Sequence, residues 1–169
     1  FINNTSANKV VIILSDRKGN MKARAFATDQ NPQLLSGNEE GSIFPESVIN
    51  FVARSEMNFV SDNFTIETKY RFDPYVQKHK PRSVCCIPIL SKHILLGMVY
   101  FENNLSERAF DIKRVEFYKT ICAQFAISLD NVVLYMELED KVNERTSEIA
   151  QKNELLAIEK KKSDDLLLN

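Results

Sequence analysis

The chain contains no tryptophan, only four glycines and five prolines, only two histidines and three cysteines among its 169 residues. Three cysteines, two of them adjacent (Cys85 and Cys86, with Cys122 apart), make no disulfide framework, so the reading is a reducing, cytoplasmic compartment. No unbroken apolar run reaches the roughly 20 residues that span a bilayer, so no membrane span is expected. Charge of one sign is also missing. Lys plus Arg is 22 against 23 for Asp plus Glu, a formal net charge of −1, which gives no electrostatic case for nucleic acid or an acidic membrane as partner. Phosphate loop, nucleophile elbow and paired-carboxylate motif are likewise missing.

Where glycine and proline are missing is informative. All of them lie at or before Gly97, and the last 33 residues, from Glu137, carry 15 charged side chains and no aromatic, Gly or Pro. The first 136 residues hold 16 basic and 14 acidic side chains; the tail holds six and nine. The chain reads as a compact body, 1–136, followed by a charged helix, 137–169. Its start, Phe1-Ile2-Asn3, reads as a trimmed boundary with the first helix cut short.

Within the body, residues 9–15 (KVVIILS) form a β-branched apolar run and 22–28 (KARAFAT) alternate, so the two predict a hairpin across the turn at 16–20. Residues 29–42 read as a polar loop. A helix is expected over 44–53, capped by Ser42, with Pro45 in its first turn and Val48, Phe51 and Val52 on one face. Residues 58–61 suit a short strand. The connection 62–81, with Phe72 and Tyr75, is long enough to be a lid or binding loop. Residues 83–90 and 94–102 predict two strands around a short turn at Lys92 and His93.

From Asp111 onward the pattern is helical. Val115, Tyr118, Cys122, Phe125, Leu129, Val132 and Met136 form one apolar stripe. A second, shifted by one residue, begins with Tyr135 and Leu138. Tyr135, Val142, Ile149 and Leu156 recur every seven residues, as one core position of a coiled coil does. The other core position reads Leu138, Arg145, Lys152, Glu159, Leu166, mostly charged, so the seam is weak. These elements predict an α+β fold: an antiparallel sheet with helices on both faces and a long C-terminal coiled-coil helix.

Residues 44–54 (FPESVINFVAR), 72–75 (FDPY), 81–89 (PRSVCCIPI) and 97–105 (GMVYFENNL), with Phe110, resemble a GAF domain over roughly 9–136. The variety they most resemble precedes histidine kinases and nucleotide cyclases. The tail resembles a signalling helix, and 159–169 (EKKKSDDLLLN) resembles the approach to a class III adenylate or guanylate cyclase domain. The resemblance implies a regulatory chain without catalytic residues of its own, dimeric through its C-terminal helices, sensing a small molecule. Some relatives of this kind bind cyclic nucleotides, which makes cAMP, or else cGMP, the implied regulatory ligand. Asn103 and Phe110 match the Asn and Phe of the signature those relatives carry, whereas Asn104 and Arg114-Val115 replace its Lys and Asp-Glu.

The resemblance places the ligand between the sheet and residues 29–81. The candidate contacts are Arg24 for a phosphate, Phe26, Phe72 and Tyr75 for stacking, and Ser61, Asp62 and Asn63 for a base edge or ribose. The competing reading makes the aromatics core and Arg24 a solvated strand position. A ligand-free dimerisation and transmission module is the alternative function. Cys85 and Cys86 point to opposite sheet faces by strand alternation. A GAF-related reductase of free methionine sulfoxide uses cysteines, but the apolar strand around these two favours packing. His79 and His93 sit in polar turns without partners at metal-ligand spacing, so no metal is expected, and no Cys-His pair suits a bilin.

Overall fold

A computed structural model of the chain describes residues 6–16, 19–28, 31–34 and 43–167. In order they form β1 (Lys9–Ser15), β2 (Met21–Thr28), β3 (Asn31–Leu34), α1 (Glu46–Ser55), β4 (Phe59–Ser61), α2 (Pro74–His79), β5 (Ser83–Ser91), β6 (Ile94–Asn103) and α3 (Ile112–Leu167). The strands make one antiparallel sheet in the order β3-β2-β1-β6-β5-β4. Two compact units result, Phe1–Ser128 and Leu129–Asn169.

Three expectations need revision. Part of the polar loop at 29–42 is strand β3, which pairs with β2 and places Pro32 opposite Ala27. Proline donates nothing to a ladder, and the sheet edge is where that costs least. The connection 62–81 is not one open lid. It winds through 3-10 turns at Phe64–Ile66 and Thr68–Tyr70 and then forms α2. Ser42 lies outside the described residues, and Pro45 holds the cap position of α1 with no side-chain cap bond.

The register fixes which residues share a face. Cross-strand partners point the same way, and neighbours along a strand point oppositely. One face therefore carries three rows: Thr28–Lys9–Glu102–Val84–Ser61, Phe26–Val11–Tyr100–Cys86–Phe59, and Ala23–Ile13–Met98–Pro88. Upon it lie Val48, Ile49 and Val52 of α1, with Phe64, Tyr70 and Val76. Each side chain fully buried there contributes about 1.5–3 kcal/mol of apolar transfer. The opposite face carries Val10, Ile12, Cys85, Ile87, Val99 and Phe101, by the same alternation. The start of α3 buries Val115, Tyr118, Cys122 and Ala126, and the Tyr118 ring stacks on Phe101 at 4.2 Å.

A bulge separates the pairs Ile12↔Ala25 and Ile13↔Ala23, leaving Arg24 as the extra residue, exposed. Beyond residue 128, Val132, Tyr135, Met136, Leu138, Val142, Ile149 and Leu156 are all more than half exposed. The α3 stretch Ile112–Leu156 is long and apolar enough, by length and composition alone, to cross a membrane. Gln124, Ser128, Asp130 and Asn131 break any unbroken run without lowering the average enough. Part of that apolarity is accounted for by the buried contacts of Cys122 and Ala126.

Candidate functional site

Strand alternation puts two charged residues, Lys9 and Glu102, on the face that β1 and β6 otherwise fill with Val11, Ile13, Met98 and Tyr100. They stand directly opposite each other in the ladder. Above them α2 brings Tyr75. The Lys9 ammonium donates to the Tyr75 hydroxyl at 2.7 Å, and that hydroxyl donates to Glu102 Oε2 at 2.6 Å. The Tyr100 hydroxyl donates to the same oxygen at 2.8 Å. Tyr75 thus links the helix to two strands through one oxygen atom. Lys9 also lies 4.7 Å from the centre of the Tyr75 ring, and His79 stacks on that ring at 4.3 Å.

The electrostatics follow from burial. Glu102 is 1% exposed and its Oε1 has no hydrogen-bond partner among the described residues. Burial and then the Glu102 charge push the Tyr75 and Tyr100 hydroxyls upward, so both remain protonated donors. Burial pulls the Lys9 ammonium down, and Glu102 opposes that. Burial and then Lys9 lower His79.

Asp73 holds α2 in place over this cluster. Its Oδ1 accepts the Tyr75 amide at 2.9 Å, capping α2, with Pro74 in the first turn. Its Oδ2 accepts the Ser47 amide at 2.9 Å and the Ser47 hydroxyl at 2.6 Å. One buried carboxylate therefore satisfies the starts of both α1 and α2, which fixes Tyr75 above Glu102.

Of the candidate contacts read from the sequence, Phe26, Ser61 and Tyr75 share this face. Phe26 is half-buried in the row beside Lys9 and Glu102, and Ser61 closes their own row, its hydroxyl on Glu67 at 3.1 Å. Arg24 sits exposed at the bulge. Asp62 accepts the Arg108 amide through its carbonyl and lines a groove with Phe110 and Val115, on the α3 side of the sheet. Asn63 accepts the Thr65 hydroxyl. Phe72 is 72% exposed, with the Arg71 guanidinium 4.5 Å from its ring. It presents its ring to a cation and solvent because Asp73 and Pro74 turn the chain inward only one residue later.

Asn103 and Phe110 have structural roles. Asn103 Oδ1 accepts the amides of Leu105 and Ser106, closing the turn after β6, and its amide donates to the Ser6 carbonyl. Phe110 packs on Phe101 and Tyr118. The three thiols are buried. Burial pushes Cys85 and Cys86 well up and Cys122 up to about 12, which opposes thiolate chemistry at neutral pH. Among the described residues no group of three or more His, Cys, Asp or Glu could hold a metal.

Sequence reasoning missed Lys9, His79, Tyr100 and Glu102 as site residues. A signal was present: Lys9 and Glu102 fall in step with Val11, Ile13, Tyr100 and Met98 at a period of two, so a charge stands on each strand's buried face.

A family model for the GAF domain matches residues 3–129. The hybrid signal transduction histidine kinase G of Dictyostelium discoideum is 32% identical over 98 residues, 58% of this chain and 3% of that protein. The peroxide stress-activated histidine kinase mak3 of Schizosaccharomyces pombe is 24% identical over 165 residues, 95% of this chain and 7% of that protein. The chain thus spans less than a tenth of either curated relative. Among solved structures, the GAF domain region of a Geobacter sulfurreducens PCA protein superposes with a TM-score of 0.61 at 19% identity, covering 76% of this chain and 85% of that one. At that identity the likeness concerns the fold alone.

Proposed function

We propose that this chain, which belongs to the GAF domain family, is the sensing and transmitting segment of a signalling protein. A small molecule binds on the sheet face beneath α2, and α3 carries the change to an output domain. The observation that carries this reading is the polar floor at Lys9, Tyr75, Tyr100 and Glu102. A ligand pocket needs a few convergent polar groups among apolar walls, and this face supplies them next to Phe26 and Val11. A cyclic nucleotide, cAMP first, is the finer ligand reading. For the output, the names of the two curated relatives favour a histidine kinase over the cyclase that residues 159–169 suggest.

Transmission is by linkage. A ligand held more tightly in one arrangement of α2 shifts a paired α3 between two packings. Tyr135, Leu138, Val142, Ile149 and Leu156 form the exposed seam for a second copy. Charges at Arg145 and Lys152 keep its registers close in energy, so a few kcal/mol of differential binding moves the balance. Calorimetry with cAMP and cGMP tests the ligand; the absence of heat and of a thermal shift at millimolar ligand would sink it. Cross-linking at Val142→Cys and Ile149→Cys in the full-length protein tests transmission. Identical patterns with and without ligand would refute it.

A ligand-free dimerisation module is the second reading, favoured by how full this face is. The rings of Phe59, Phe64 and Tyr70 pack edge-on or stacked with centres 5.2–5.9 Å apart. The cavities of about 640 Å³, at Ser15, Asn50 and Arg54, and about 190 Å³, at Ile12, Val99 and Phe125, are not lined by Tyr75 or Glu102. On this reading calorimetry is silent while the chain still dimerises.

A further inference from the structure

We infer that the hollow between α3 and the sheet face opposite α1 and α2 is a binding site for a small uncharged apolar molecule, aromatic or aliphatic, about one ring in size. The site stands without the reading of the face beneath α2, because the two lie on opposite sides of the sheet.

Two small side chains create the hollow. Cross-strand pairing sets Ala27 beside Val10 and Phe101 in one row of this face, and Ala25 beside Ile12 and Val99 in the next. Toward β6 the rows are bulky and α3 seals them. Tyr118 stacks on Phe101, and Cys122 and Ala126 are 3% and 2% exposed. Toward β2 the rows end in methyl groups. Ile121 and Phe125 of α3 wall the space beside these alanines, and a cavity of about 190 Å³ remains.

The walls decide what fits. Their side chains are all apolar except the Cys122 thiol, a weak donor. β1, β2 and β6 each have a strand on either side, so away from the bulge at Arg24 their backbone polar groups are spent in ladders. A buried water needs about two to four polar partners, whereas an apolar cavity of about 150 Å³ stays dry and takes up benzene or xenon. A charged or strongly polar molecule would lose its hydration and gain no partner. Length excludes a docking helix. Val10 to Ile12 spans about 7 Å of strand, and Ile121 to Phe125 about 6 Å of helix, roughly one turn. A single ring fills that length. Ile12, Ala25, Ala27 and Phe125 are only half-buried, so the space opens along β2. A bound molecule adds contacts between the sheet and α3 through Ile121 and Phe125.

The probes are toluene and phenol, alike in size, one bearing a methyl where the other bears a hydroxyl. They are titrated into the 169-residue chain with isotope-labelled methyl groups and followed by nuclear magnetic resonance. Toluene should shift the methyl signals of Ile12, Ala25, Ala27 and Ile121 and leave those of Val48 and Val52, packed on the other face, in place. It should bind about tenfold to a hundredfold more tightly than phenol, the range for burying a hydroxyl without a partner. Ala25→Leu fills the space from the sheet side and should weaken toluene binding at least about tenfold. No toluene binding, equal affinity for the two probes, or shifts centred on Val48 and Val52 overturns the assignment whether or not the variant folds. Undiminished binding by a folded Ala25→Leu chain overturns it too. Shifts of the same methyl signals on dilution, with toluene silent, overturn it in favour of an interface between copies.

Discussion

Replacing Tyr75 with phenylalanine isolates the link between α2 and the sheet. The ring stays, with its burial and its stacking on His79 at 4.3 Å, and only the hydroxyl is lost. That hydroxyl accepts from Lys9 at 2.7 Å and donates to Glu102 at 2.6 Å. Both bonds have an ionised partner, and such bonds contribute about 1.5–3 kcal/mol each. Lys9 is only half-buried and regains water, and Glu102 retains Tyr100, so both count at the low end, for a sum of about 3 kcal/mol. In a folded unit of this size that lowers Tm by about 10 °C. Tyr100→Phe removes one bond and should cost about 1.5–3 kcal/mol. The double variant strips Oε2 of both donors and should cost at least about 1 kcal/mol more than the two singles added, because the carboxylate is then buried bare. Urea unfolding followed by circular dichroism, with calorimetry for Tm, measures all three. A Tyr75→Phe loss below about 1 kcal/mol, with additive doubles, would refute the view that this hydroxyl anchors α2.

Further outcomes follow from particular positions. A Cβ at Gly97 would stand 2.2 Å from the Ile13 carbonyl oxygen and 2.9 Å from Leu14 Cδ2, so Gly97→Ala should destabilise by about 3 kcal/mol or more in chemical denaturation. The β5–β6 turn holds Lys92 and His93 at φ of 48° and 67°, as a two-residue hairpin turn requires, yet neither residue favours that region. Lys92→Asn with His93→Gly should therefore stabilise by about 1 kcal/mol, read as a raised denaturation midpoint. His79 has a folded pKa below its unfolded value of about 6.5. The unfolded chain takes up the proton first, so stability present above that pH declines as pH falls below it. His79→Gln should remove that part of the slope between pH 7 and 5, and equal slopes would contradict it.

Much of the architecture was legible because it rests on local periodicity. The runs at 9–15, 83–90 and 94–102 and the first turns of the α3 stripe, Val115, Tyr118 and Cys122, follow from alternation and helical spacing, which need no knowledge of partners, whereas Val132 and Met136 of the same stripe are exposed. Cys85 and Cys86 fall on opposite faces for the same reason. β3 was not legible, since Asn-Pro-Gln-Leu has little strand character and forms only because β2 offers it an edge. Phe72 looked like a wall of the site by residue type, yet the cap made by Asp73 turns Tyr75 inward and leaves Phe72 outside.

The sequence by itself determined the alternation of the strands, the helical register of α3 and the contrast between a mixed body and a charged tail. These depend on side chains a few positions apart. Tertiary structure alone brought the candidate site together. Lys9, Tyr75 and Glu102 are separated by 66 and 27 residues, and Asp73 caps a helix 26 residues upstream. Which charge meets which hydroxyl depends on strand order and on where α2 lands, and no local pattern encodes either.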